Sequence, residues 1–194
     1  MDFVFDLLQG IGIAAAIGVR PFLPVLLTGA LASADLGLDF DGTDFSFLES
    51  WGFLLAVLIV VGVLEYLDRK RAGEEPPPLL YAIGALTIGL GALVAAGSLA
   101  DRGHTIIPGV ILGAAAALLG FLAARSLFGR VKRRLDPEAA AALPVYAEGV
   151  ALLAAGLSIL LPPLAVLIVA GQAWLLAGGR RREGEKYAGL RILR

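Results

Sequence analysis

Six stretches of this chain contain no Asp, Glu, Lys or Arg: residues 7–19, 21–34, 50–64, 76–100, 105–124 and 149–179. A helix needs about 20 apolar residues to cross a bilayer, and 76–100 and 105–124 each supply that as they stand. The stretch 50–64 reaches it when extended over 47–68, with its terminal charges snorkelling to water. The chain is 58% hydrophobic and 17% charged, against about 45–50% and about 25% for a soluble domain. That balance predicts an all-α, polytopic integral membrane helix bundle of about six or seven hydrophobic segments.

The same numbers exclude several classes. The chain is too apolar for disorder, lacks a Gly-X-Y period, and with a net charge of −1 has no basic footprint for nucleic acid. With no cysteine there are no disulfides, catalytic thiols or zinc-thiolate sites, and the lone His104 makes no histidine triad or metal cluster. Phosphate loops, nucleophile elbows and HExxH are absent, and Ser98, Ser126 and Ser158 have no histidine partner within a motif. The expectation is a protein that is no enzyme and carries no cofactor or metal.

Two regions are more than plain spans. As one helix, Phe3 to Ala34 would be about 48 Å long, well beyond a hydrocarbon core of about 30 Å. Pro21 and Pro24 interrupt it, and the residue before a proline is pushed out of helical geometry. The predicted segments are 3–19 and 22–34, broken at Arg20-Pro21, as either a hairpin or one kinked span. Toward the C-terminus, Asp136-Pro137-Glu138 reads as a helix start. That helix runs to about 161, with a possible kink at Pro144, and Pro162-Pro163 stops it. The remaining segments are 79–99, 106–128, 137–161 and 164–178, giving one transmembrane domain over 1–179 and a basic tail over 180–194. A signal peptide at 1–34 is disfavoured because the start carries Asp2 and Asp6 and no base.

Basic residues cluster at 69–71, 130–134 and 180–194, whereas loop 35–49 holds Asp35, Asp39, Asp41, Asp44 and Glu49 and no base. The positive-inside rule then places the C-terminus in the cytoplasm and the acidic loop outside, in a multi-pass protein of the plasma membrane. Gly10, Ala14 and Gly18 form a small-residue stripe, echoed by Ala85/Gly89, Gly91/Ala95 and Ala116/Gly120. Such spacing lets helices approach closely in lipid, within a bundle or between copies of a homo-oligomer.

An ionisable group inside a membrane is costly and marks a candidate site. Arg20 stands at the helix break, and Glu148 falls well inside its helix. Glu65 and Asp68 close the span before the basic loop, and Gln172, near Trp174, is the polar residue of the last helix. A broken helix exposes N–H groups at the start of its second half, so those of Phe22 and Leu23 beside Arg20 suit a carboxylate or phosphate. Glu148 and Glu65 would be its acidic partners. The plainer readings are a structural ion pair of Arg20 with Glu148 or Glu65, or Arg20 snorkelling to water. Asp101, Arg102 and His104 read as a turn, and the acidic loop as solvated.

The run Gly18-Val19-Arg20-Pro21-Phe22-Leu23-Pro24 resembles the N-terminal signature of a bacterial membrane family catalogued as domain of unknown function 4126. The similarity extends to the span ending Glu65-Tyr66-Leu67-Asp68-Arg69-Lys70, whose continuation in the family is missing here. It covers about the first 70 residues. The resemblance implies a bacterial inner-membrane bundle and marks Arg20, and it brings no established activity.

The functional expectation is a small transporter or lipid-translocating protein holding an anionic small molecule or lipid headgroup at the helix break. The alternatives are an oligomeric channel, or a non-catalytic membrane scaffold whose basic loops bind anionic lipid or a partner protein.

Overall fold

A computed structural model describes residues 2–70, 77–132 and 134–188; the side chains of 2, 61, 62, 64–70, 77–79, 137, 141 and 180–188 lie outside the description. The described residues form helices joined by turns and loops, with no strand among them. The helices are α1 (Asp2–Val19), α2 (Phe22–Ala32), α3 (Trp51–Lys70), α4 (Pro77–Ala100), α5 (Ile107–Lys132), α6 (Pro137–Leu160) and α7 (Leu164–Ala188), with a 3-10 turn at Ser46–Glu49 before α3.

Among the described residues, three helices are long and apolar enough to cross a membrane: Leu80–Ala100, Ile107–Lys132 and Glu138–Leu160. This is fewer than the six or seven expected. The other apolar helical stretches, Phe3–Val19, Phe22–Ala32, Trp51–Val60 and Leu164–Gly179, are 10–17 residues long. The cause is local in α1 and α2: the Arg20-Pro21 break divides one overlong apolar stretch into two short ones. α7 does not stop at 178 as expected but continues as helix to Ala188.

The prolines act largely as their chemistry requires. Pro21 caps α2 in helical geometry (φ −71, ψ −24), where its missing N–H costs nothing. Pro137 opens α6 after an extended Asp136, whose side chain makes no capping hydrogen bond. α6 runs on through Pro144 and ends at Leu160, one residue before the turn that contains Pro162 and Pro163.

α1 is the axis of the fold, packed against α4, α5, α6 and α7. Ile13, Ala14, Ala15, Ala16 and Ile17 are wholly buried. The Gly10-Ala14-Gly18 stripe explains how one helix can touch so many others. A Cβ at Gly10 would lie 2.9 Å from the Ala95 Cα, and one at Gly91 would lie 3.4 Å from the Ala14 Cβ. A Cβ at Gly120 would lie 2.5 Å from the Ala15 oxygen. The stripe therefore meets the Gly91/Ala95 pair of α4 and the Ala116/Gly120 region of α5. The Ala85/Gly89 pair packs differently: both residues are exposed, and nothing lies within 4 Å of a Cβ at Gly89.

The chain doubles back between α1 and α2. Gln9 Nε2 donates to the Gly37 carbonyl beyond α2 (2.9 Å) and to the Ile159 carbonyl at the end of α6 (3.2 Å). The hairpin alternative is therefore the one observed. At the same end of the bundle Ser98 Oγ, near the end of α4, donates to the Asp6 carbonyl (3.1 Å). Loops 33–50, 101–106 and 161–163 thus share one end. Arg130 and Lys132 lie in the last turn of α5 and Arg134 follows it, at the other end; Arg71 and Arg133 lie outside the described residues, as do the side chains of the basic tail.

Candidate anion site at the hairpin tip

Arg20 and Pro21 are the two residues between α1 and α2. Pro21 has no N–H to offer the Ile17 carbonyl, so the last turn of α1 is left open, while Arg20 N–H still donates to Ala16 O at 3.2 Å. With prolines at both 21 and 24, the first turn of α2 presents the N–H groups of Phe22 and Leu23 alone. Phe22 is buried and Leu23 is 38% exposed. The electronegative end of one helix and the electropositive end of the next therefore meet beside one guanidinium.

Arg20 Nε lies 3.9 Å from Glu148 Oε1, with the two side chains 30% and 14% exposed. This is an ion pair without a hydrogen bond, since the separation exceeds hydrogen-bonding range. The depth of the pair follows from Gln9 and Ile159, which are hydrogen-bonded and so level with each other. From either residue the chain advances eleven positions, to Arg20 or back to Glu148, a distance of about 16 Å. α6, of 24 residues, is about 36 Å long. The hairpin thus ends near the middle of the bundle, and Glu148 meets it there.

The other expected site residues distribute as follows. Gln172 does not reach Arg20; its Nε2 donates to the Ala15 carbonyl (2.9 Å), tying α7 to the last turn of α1. Its buried Oε1 has no hydrogen bond among the described residues. Glu65 and Asp68 lie on α3, and their side chains are outside the described residues.

Two polar groupings were missed by the sequence reading. Gln9 joins three segments through its amide, a role its place in an uncharged stretch only hints at. Asp6 is 5% exposed and faces the 101–104 turn, with Arg102 Nη1 at 3.7 Å and His104 Nε2 at 3.3 Å. Phe3 packs edge-on against His104, with ring centroids 5.2 Å apart. The turn itself is as expected, with Gly103 at φ +69. In the acidic loop, ligand oxygens of Asp39, Asp41 and Glu49 lie within 4.8 Å of one another. Burial, then a hydrogen bond with Asp41, pushes the Glu49 carboxyl above its usual range, against the Phe40 N–H that lowers it.

Comparison with protein-family models, curated proteins and solved structures gives no match to this chain.

Proposed function

We propose that the chain is a small multi-pass membrane protein that moves an anionic solute or lipid headgroup, recognised by Arg20 at the tip of the α1–α2 hairpin. In this reading all seven helices lie in or across the bilayer, with α1 and α2 forming a re-entrant hairpin. The basic end faces the cytoplasm and the acidic loop faces outward. The observation that carries it is the Arg20–Glu148 pair, about 16 Å below the end of α6. A guanidinium at that depth is costly, yet it stays 30% exposed and within reach of a second ligand. Glu148 occupies Arg20 when the site is empty and is displaced, or protonated, when an anion arrives. The wholly buried Ile13 to Ile17 segment is a closed apolar plug, which favours a gated carrier over an open channel. A scaffold remains the competing reading, with the pair serving only to pin α1 to α6.

Purified protein in phosphatidylethanolamine/phosphatidylglycerol vesicles decides between them. Two probes are followed: dithionite bleaching of fluorescent phosphatidylglycerol, and entry of radiolabelled phosphate. Wild type should accelerate one of these over empty vesicles, and Arg20→Ala should return it to the empty-vesicle rate. Arg20→Lys should fold and lose most of it, because an ammonium lacks the planar fork that binds two oxygens at once. A stably folded Arg20→Ala with the wild-type rate, or a wild type inert toward both probes, overturns the proposal.

A further inference from the structure

A second basic feature lies away from Arg20, in a groove between the C-terminal part of α5 and the middle of α7. The groove is lined by the apolar Leu127, Val131, Trp174 and Leu175, by Gly178, and by Arg130 and Arg134; its volume is about 240 Å³ and it is open to the surroundings. Arg130 is held in place from the apolar side. Its Nη1 donates to Ser126 Oγ at 2.5 Å, and its guanidinium lies against Gly179, where a Cβ would overlap it. The side chain therefore points back along α5, toward the groove. Among the described residues no carboxylate pairs with Arg130 or Arg134.

The depth of these groups fits a particular ligand. Ser126 lies nineteen residues beyond Ile107, the start of α5, or about 28 Å along the helix. That is close to the thickness of a hydrocarbon core, about 30 Å, so the Arg130 guanidinium sits where lipid phosphates begin. Trp174, 75% exposed, flanks the groove on the side leading into the apolar layer. A soluble anion would use the two arginines and leave the apolar walls idle. A phospholipid uses both: its phosphate at the arginines and an acyl chain along Trp174, Leu127 and Leu175.

We infer that the α5–α7 groove is a binding site for an anionic phospholipid of the cytoplasmic leaflet, its phosphate held by Arg130 and Arg134. This assignment is independent of the role of Arg20, and failure of either leaves the other standing.

The chain has two tryptophans, which provides the test. In a Trp51→Phe variant the emission reports Trp174 alone. Bilayers are prepared with brominated-chain phosphatidylglycerol or brominated-chain phosphatidylcholine at equal mole fraction. The phosphatidylglycerol should quench more strongly, with a relative association constant raised about fivefold per arginine. Arg130→Gln with Arg134→Gln should equalise the two lipids, whereas Arg130→Lys with Arg134→Lys should keep most of the preference, showing that the groove persists. Inorganic phosphate, added against chloride of matched ionic strength, should leave the preference unchanged; its abolition by phosphate would reassign the site to a free anion. Equal quenching by both lipids in the parent, or a preference that survives the double Gln variant, overturns the assignment and leaves the arginines as partners of the α5 C-terminus only.

Discussion

Replacing Glu148 by leucine strands Arg20 near the middle of the bundle, and the geometry sets the size of the effect. At about 4 Å and an effective dielectric of about 20, the attraction is about 4 kcal/mol, most of it offset by the cost of drying the two groups. Removing one partner of a fully buried pair costs about 3–5 kcal/mol. Here Arg20 is 30% exposed and the 3.9 Å separation includes no hydrogen bond, so water screens part of the stranded charge and about 2 kcal/mol is expected. For a chain of this size that corresponds to a melting temperature lower by about 4–8 °C. Glu148→Gln keeps the volume and a polar partner and should lose less than half as much.

The assay is thermal unfolding in one detergent of wild type, Glu148→Leu, Arg20→Leu and the double variant. Each single change leaves one charge behind. The double change leaves none, so it should melt above both single variants. That crossing is the signature of a desolvated pair, and a double-mutant cycle measures it. A Glu148→Leu melting point within 1 °C of wild type, or a double variant that loses the sum of the two single losses, would show that both groups are simply solvated. The pair would then lie in water and not within the bundle.

Two further predictions test the frame that holds the tip in place. Gly18→Ala puts a methyl into the Ala117 carbonyl and 2.8 Å from the Gly120 Cα; prying α1 from α5 should cost about 1–3 kcal/mol, read as a lower melting point, and no loss would mean the helices part freely. Gln9→Leu removes the donor to the Gly37 and Ile159 carbonyls and should cost about 1–3 kcal/mol while speeding amide exchange at residues 36–40; unchanged exchange would refute its role as the tie between hairpin and α6.

How far the fold was legible depended on whether a feature's cause was local. Pro21, Asp136-Pro137 and Pro162-Pro163 act within a turn of themselves, and each lies at a helix boundary. The Gly10-Ala14-Gly18 stripe was visible as a close-packing face, and its partners Gly91, Ala95 and Gly120 were visible as small-residue positions. Their pairing was not, because many Ala and Gly residues in this chain fit the same spacing. The choice between hairpin and kinked span had no local cause at all. It rests on an amide at position 9 and carbonyls 28 and 150 positions away in sequence. Asp6 was read only as a charge arguing against a signal peptide, since nothing near it in sequence anticipates Arg102 and His104. Arg20 and Glu148 were both singled out because charge is rare in apolar segments; that Glu148 and not Gln172 faces Arg20 required the register of α6 and α7 against α1.

That register also explains why the candidate site has the composition it does. α1 fits between α4 and α5 only with Gly or Ala along its contact stripe, so the helix can place no large polar group on that face before its end. The first position free of this restriction is the break itself, where Pro21 also opens the backbone ladder. An arginine there gains the carbonyl end of α1, and it costs the packing of α1 nothing because it lies past the last close contact at Gly18. On the α6 side, Ala147, Ala151 and Ala155 are buried, so Glu148 likewise borders a stretch of close packing. The charged pair is thus placed where two tightly packed surfaces end, and in the proposed reading a ligand replaces one of the charges there without unpacking the helices.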